Sequence, residues 1–266
     1  MGVVNVTPDS FSDGGRFASN EAAVAHALRM VEEGAGLIDV GGESTRPGAQ
    51  AVDAEEEIRR VVPVIEALAA RTTVPISIDT SKPVVMTAAV RAGARMINDV
   101  RALREPGAIA AAAKTDAAIC LMHMQGEPRT MQVEPRYVDV VLEVRDFLHE
   151  RAQACLAHGI AKDRLLIDPG IGFGKRLEHN LALLAGLPAL TSLGWPVLVG
   201  VSRKSMFGTL LGRAVDERVA GGVAVATAAV LAGASIVRTH DVAATVDAVK
   251  VAVALREAGK AVSCRL

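Results

Sequence analysis

Short apolar runs, each stopping on a polar or glycine position, recur along this 266-residue chain. Val3-Val4 stop at Asn5, and Leu37-Ile38-Asp39-Val40 run into two glycines. Ile76-Ser77-Ile78 stop at Asp79, Met96-Ile97 at Asn98-Asp99, and Ala118 to Met122 at His123. Leu165-Leu166-Ile167 stop at Asp168, Val197-Leu198-Val199 at Gly200, and Ser235-Ile236-Val237 at Arg238-Thr239-His240. Runs this short and this apolar predict strands buried on both faces.

Helical periodicity fills the intervals. Asn20-Glu21 open a helix with Ala23, Ala27, Met30 and Val31 on one face, ending near Gly34. Asp53 with Glu56 predicts a capping box ahead of Ile58, Val61, Val62 and Ile65. Pro83 sits where a first helical turn tolerates proline. The stretch from about Val138 to His158 predicts the longest helix, feeding the Leu165 strand through Gly159. Three segments echo one another: EGAGLIDV (33–40), AGARMINDV (92–100) and AGASIVRTHDV (232–242), each a glycine stop, a small residue and a strand. Eight such strand–helix units with right-handed crossovers predict an α/β fold, a single-domain (β/α)8 TIM barrel over residues 1–266. A doubly wound open sheet is the alternative, but NVTPDSF after the first strand is not a phosphate-binding glycine fingerprint.

Composition sharpens this picture. Half the residues are hydrophobic and only 3% aromatic, so the core is aliphatic. A net charge of −1 gives no footprint for nucleic acid, and the longest apolar runs match strands or barrel helices, so no membrane span is expected. Cys120, Cys155 and Cys264 lack the spacing of a zinc site or disulfide framework, and no signal peptide precedes the first strand, which predicts a cytoplasmic protein.

In a barrel of this kind the strands' C-terminal ends form the active face. Asn5, Asp39, Asp79, Asn98, His123, Asp168, Lys204, Arg238 and His240 would meet there. Asp79, Asn98 and Asp168 suit the ring N–H and amino groups of a flat heterocycle. Arg46, Arg238 and His240 suit phosphate oxygens, with Asn5 as a magnesium ligand through its carbonyl. His123 reads as a support of the rim. In LLIDPGIGFGK (165–175), Pro169 ends the strand, and alternate glycines leave room for a ligand near Asp168.

Taken together, NVTPDSFSDGG (5–15), DVGGESTRPGA (39–49), SIDTSKP (77–83), MINDVRAL (96–103), LMHMQGEPRTMQ (121–132), LLIDPGIGFGK (165–175), VGVSRKS (199–205) and IVRTHDV (236–242) resemble the dihydropteroate synthase family of folate biosynthesis. The resemblance spans essentially the whole chain. It implies condensation of 6-hydroxymethyl-7,8-dihydropterin pyrophosphate with p-aminobenzoate through an SN1-like pterin cation. It also implies a Mg2+ cofactor, sulfonamide sensitivity and a homodimer. Asp79, Asn98, Met122, Asp168, Phe173, Gly200 and Lys204 would then bind the pterin, and Asn5, Arg46, Arg238 and His240 the pyrophosphate. Phe11, Thr45, Pro47, Phe173 and Ser205 would border p-aminobenzoate. Asp168, Lys204 and Asp79 would be catalytic, and loops 8–18 and 43–50 would close as lids. The family's usual short leader before the first strand is expected to be absent, with an intact active face and a cost in stability or solubility.

Other readings are a pterin-dependent methyltransferase, a Schiff-base aldolase built on Lys204, and a pterin-binding homologue without turnover. The STRPG loop and the SRKS–RTHD group weigh against the first. Arg203 beside Lys204 weighs against the second, and the full set of matched polar positions against the third.

Overall fold

The computed structural model describes residues 1–7, 15–44, 51–127 and 130–263. Within them lie eight strands: β1 (Gly2–Asn5), β2 (Ile38–Gly41), β3 (Ile76–Asp79), β4 (Met96–Asp99), β5 (Ala118–Met122), β6 (Leu165–Asp168), β7 (Leu198–Gly200) and β8 (Ile236–Arg238). Between and after them run α1 (Gly15–Glu32), α2 (Ala54–Ala69), α3 (Pro83–Ala92), α4 (Ala108–Ala113), α5 (Val140–Ala157), α6 (Leu177–Ala185), α7 (Leu187–Thr191), α8 (Met206–Leu211), α9 (Val219–Leu231) and α10 (Val242–Ser263).

Strands β1 to β6 form one parallel ladder in sequence order, and β7 pairs with β8. Single bridges, Gly2 with Thr239 and Ile167 with Val197, join the two sheets into a closed (β/α)8 barrel. At one seam Val3 N–H donates to Thr239 O at 3.1 Å and Thr239 N–H to Met1 O at 2.9 Å. At the other, Ile167 N–H donates to Pro196 O at 3.0 Å.

The pleat sorts the side chains. Ile38, Val40, Ile76, Ile78, Ile97, Ile119, Leu121, Leu165 and Ile167 point out and pack in one core with the helices. The alternate set points into the barrel, as the period of two requires. Its lower members, Met1, Leu37, Met96, Cys120, Leu166 and Leu198 among them, make a separate apolar plug. Further up the strands, the inward positions are Asn5, Asp39, Ser77, Asp79, Asn98, Asp168 and Arg238. The apolar runs therefore stop on polar residues because the interior itself changes from plug to pocket.

Local expectations mostly hold. Asp53 caps α2 by accepting from Glu56 N–H at 2.7 Å, and Glu56 turns its carboxylate to Arg59 and Arg60. Pro83 is the first residue of α3. The echoing glycines Gly34, Gly93 and Gly233 all have φ near +100° (96°, 121° and 101°), and the next N–H in each case donates back into the helix that ends there. Two expectations need correction. Helix α1 begins at Gly15, before Asn20, because nothing between them breaks a helix. The longest helix is α10, with 22 residues against 18 for α5.

Candidate active site

The mouth of the barrel carries two charged walls. On the first, Arg238 at the end of β8 donates from Nε to Asp39 Oδ2 at 2.6 Å and from Nη2 to Asp79 Oδ2 at 2.9 Å. Asp39 lies inside the barrel and is fully buried. The same Oδ2 accepts from Asn98 Nδ2 at 3.1 Å, so β2, β4 and β8 are tied through one carboxylate and β3 joins them through Arg238. Burial pushes the Asp79 carboxyl up to about 7, with the Asp39 charge acting in the same direction and Arg238 against both. Burial also opposes the Arg238 charge, but its two carboxylate partners more than offset it and hold the guanidinium firmly ionised.

The second wall is looser. Asp168, at the end of β6, accepts a hydrogen bond from Gly170 N–H to Oδ1 at 2.7 Å. Burial pushes its carboxyl up to about 6, against the opposing pull of that bond and of Lys204. Lys204 lies beyond β7 with its ammonium 4.2 Å from the Phe173 ring centroid, a cation–π contact. Burial, reinforced by Arg238, lowers this amine to about 8. Neighbouring Arg203 plays no part in that shift, because its guanidinium turns away to Asp241 at 2.6 Å. Phe173 packs beside Val100, Met122, Met124 and Met131, giving the wall an apolar, sulfur-rich flank.

The glycines after Asp168 serve the chain itself more than was expected. Gly170, Gly172 and Gly174 all have positive φ, at 65°, 83° and 61°. A Cβ at Gly170 would collide with the His123 carbonyl, and one at Gly174 with the Gln125 backbone. Only Gly172 faces a site group, the Lys204 side chain. Two of the three positions thus let the β5–α5 loop approach.

A wall of carboxylates, amide and cations above an apolar slot accepts a flat polar ring with an anionic arm, and the comparisons with known proteins agree. The profile of the family described as pterin binding enzyme matches residues 1–240. The dihydropteroate synthase of Escherichia coli K12 is 55% identical over 251 residues, covering 94% of this chain and 89% of that protein. The chain belongs to the dihydropteroate synthase family. Among solved structures, the Yersinia pestis dihydropteroate synthase with a sulfonamide drug complex superposes with a TM-score of 0.92 at 54% identity, over 97% of this chain and 94% of that one. The Xanthomonas albilineans dihydropteroate synthase in complex with 7,8-dihydropteroate gives 0.88 at 56% identity, over 96% and 92%.

Set against the dihydropteroate synthase pattern, Asp79, Asn98, Met122, Asp168, Gly200, Lys204 and Arg238 all sit at or just beyond the same ends of their strands. Gly200 pairs with Arg238 across the β7–β8 ladder and lies beside the guanidinium stem. His240 stands beside them, its N–H donating to Ser202 Oγ at 3.1 Å and its Nδ1 lying 3.2 Å from the same hydroxyl. Burial and the nearby Arg238 lower the His240 imidazole to about 4, so it is neutral near pH 7. Ser205 is exposed at the start of α8. Asn5 ends β1, and its side-chain amide has no hydrogen-bond partner among the described residues. Phe11, Thr45, Arg46 and Pro47 lie outside the described residues. Of the two expected lids, residues 15–18 of the first belong to α1, and residues 43–44 of the second are described while 45–50 are not.

Arg238 departs from the expected picture of a free phosphate donor, because two carboxylates already hold it. His123 fulfils its supporting role: it is buried, edge-on to Phe147, with Nδ1 2.9 Å from Lys175 Nζ. Lys175 escaped the sequence reading. It is 3% exposed, and its ammonium donates to Gly170 O at 3.0 Å and Phe173 O at 2.9 Å. Only its position after GFG, one residue past the glycine series, could have drawn attention to it. Asp99 likewise points away from the pocket and organises the next turn through Ser81, Arg101 N–H and Leu103 N–H.

Proposed function

We propose that this chain joins 6-hydroxymethyl-7,8-dihydropterin pyrophosphate to p-aminobenzoate, forming 7,8-dihydropteroate and pyrophosphate. The observation that carries the reading is the unfilled capacity of the second wall. Among the described residues, Asp168 is buried with one oxygen bonded and the other without a donor, and the Lys204 ammonium lies over the Phe173 ring. A buried carboxylate left so under-paired is costly unless a ligand completes it.

The pterin ring lies, in this reading, in the slot flanked by Met122 and Phe173. Asp79 and Asp168 accept from its N–H groups, and Asn98 and Lys204 complete the set. The bond from the exocyclic methylene carbon to pyrophosphate oxygen breaks, and the electron pair leaves with the pyrophosphate. The cation left behind spreads into the ring, where the Asp168 carboxylate stabilises it. The aniline nitrogen of p-aminobenzoate then donates its lone pair to the same carbon and afterwards loses a proton to water. Arg238 and His240 face the departing pyrophosphate, with Arg46 assigned there by resemblance. Phe11, Thr45, Pro47, Phe173 and Ser205 are assigned to p-aminobenzoate on the same ground, and a sulfonamide would compete there.

Magnesium fits this arrangement as an ion that arrives with the substrate. No group of three His, Cys, Asp or Glu side chains among the described residues forms a cage. Asn5 offers one uncommitted hard oxygen at the rim, which suits Mg2+ shared with phosphate and water. When bound, the ion would neutralise charge on the leaving group. A homodimer is supported by the exposed Leu231 on α9 and by Val251 and Leu255 on α10. A single domain over residues 1–266 is supported by the closure of all eight strands into one barrel. No described helix is long and apolar enough to cross a membrane, and a cytoplasmic setting is supported by the free, buried thiols of Cys120 and Cys155.

The deciding assay measures pyrophosphate release with Mg2+ and the pterin substrate, with and without p-aminobenzoate. Release that requires p-aminobenzoate, with dihydropteroate formed in equal amount, is expected. Tight pterin binding without release would instead mark a non-catalytic relative.

A further inference from the structure

The reaction as derived gives no part to Asp39, yet this carboxylate is the most connected group in the mouth of the barrel. It is 0% exposed and sits one inward position below the level of Asp79. Its Oδ2 accepts from Asn98 Nδ2 at 3.1 Å and from Arg238 Nε at 2.6 Å, while Arg238 Nη2 goes on to Asp79. Its Oδ1 has no hydrogen-bond partner among the described residues, and neither does the buried Ser77 Oγ on the neighbouring strand. Asp39 and Ser77 are register partners in the β2–β3 ladder, so both orphan atoms face the same interior level.

Two consequences follow from this geometry. An amide has two chemically different ends, and an acceptor on Nδ2 decides which end Asn98 turns to the pocket. Because Asp39 takes the Nδ2 side, the Asn98 oxygen is left for a ligand. A guanidinium held through Nε is likewise fixed in plane and pivot, leaving Nη1 as its outward edge. One oxygen thus aims two side chains that stand on opposite sides of β2 in the barrel, β4 and β8.

We propose that Asp39 is the positioning residue for pterin pyrophosphate, aiming the Asn98 amide and the Arg238 guanidinium without touching the substrate. This rests on the pterin-pyrophosphate reading of the pocket. The charge is needed as well as the shape, since Arg238 is placed between two carboxylates and loses one of these charged partners when Asp39 is replaced by a neutral residue. The isosteric change Asp39→Asn fits the interior: its oxygen can keep the Oδ2 bonds, and its NH2 meets the level of the orphan Ser77 hydroxyl.

The experiment compares wild type with Asp39→Asn and Asp39→Ala by calorimetry with pterin pyrophosphate and Mg2+, by steady-state kinetics and by thermal unfolding. For Asp39→Asn the expected result is a folded protein whose dissociation constant for pterin pyrophosphate rises about tenfold, the effect of removing one buried charge partner. The KM for p-aminobenzoate stays near wild type. Asp39→Ala, which also removes the acceptor, is expected to weaken binding about a hundredfold. Wild-type pterin affinity in Asp39→Asn overturns the proposal. Loss of the fold in that variant, or a parallel fall in Tm, kcat and both affinities, overturns it too, by making Asp39 structural. If wild type releases no pyrophosphate with p-aminobenzoate, it is the reading of the pocket that fails.

Discussion

The two walls of the pocket use similar charges in opposite ways. On the β2–β3–β8 wall, Arg238 is clamped by Asp39 and Asp79, and every charge has a protein partner. On the β6–β7 wall, Asp168 has a single donor among the described residues, a backbone N–H, and Lys204 lies over an aromatic face. On the first wall the cation is already paired before any ligand arrives. The second is a buried deficit that only a ligand removes. The difference separates orientation from chemistry: the locked wall sets geometry, and the open wall holds the unspent electrostatic field that can act on a developing cation.

The sharpest way to break this contrast is to neutralise the open wall. Asp168→Asn can still accept from Gly170 N–H, yet it removes the charge opposite the cation, and turnover is expected to fall about 100–1,000-fold. The same change is expected to stabilise the unliganded protein. The native carboxyl keeps its proton to about pH 6, whereas its ordinary value is 3.8. The unfolded chain therefore binds fewer protons between those values, so this group's contribution to stability declines as pH rises and is gone above pH 6. Replacing it should raise Tm at pH 8 by about 2–6 °C in a chain of this size. Full turnover in a normally folded variant would remove Asp168 from its assigned role.

A smaller effect is expected from unlocking the other wall. Arg238→Lys keeps the charge but cannot span Asp39 and Asp79 with two fixed donors, and kcat/KM for the pterin substrate should drop about 10–100-fold. Unlike Asp168→Asn, it should lower Tm, because two buried carboxylates lose part of their compensation. Equal Tm changes in the two variants would erase the distinction between the walls.

The mildest probe is pH. Asp168 and Asp79 ionise near 6 and 7, both raised chiefly by burial, and Lys204 loses its proton near 8. If both carboxylates accept from the ring and the ammonium donates to it, pterin affinity peaks between pH 7 and 8. On the acid side it should fall about tenfold per pH unit for each proton taken up. A flat profile from pH 5 to pH 9 would show that neither wall titrates on binding.

The barrel was legible because its strands carry two messages at once. Ile38, Ile76, Ile97 and Leu165 mark the helix-facing side, and the inward residues between them change along each strand, from Leu37 to Asp39 and from Met96 to Asn98. That change of character located the pocket and most of its members. What escaped was connectivity. The sequence shows that Arg238 and Asp79 share a rim, but the pairing spans 159 positions and depends on closure of the barrel. Lys175 was missed for the opposite reason: its partners are mostly backbone carbonyls, which leave no mark in residue type. The glycines at 170 and 174 misled in the same way, since a close approach of backbone reads the same whether the visitor is a ligand or another loop.

The barrel's seams add a mechanical meaning to the guanidinium of Arg238. The β7–β8 pair is attached to the six-strand sheet by a single bridge at each side. Arg238 stands on the two-strand side of that join, and both of its carboxylates stand on the other. The ion triad is therefore a clasp across the weaker stitching of the cylinder. Any anion that draws Arg238 off Asp79 undoes one hook of that clasp, so the tension holding the hoop shut and the grip on the guest are set by the same side chain.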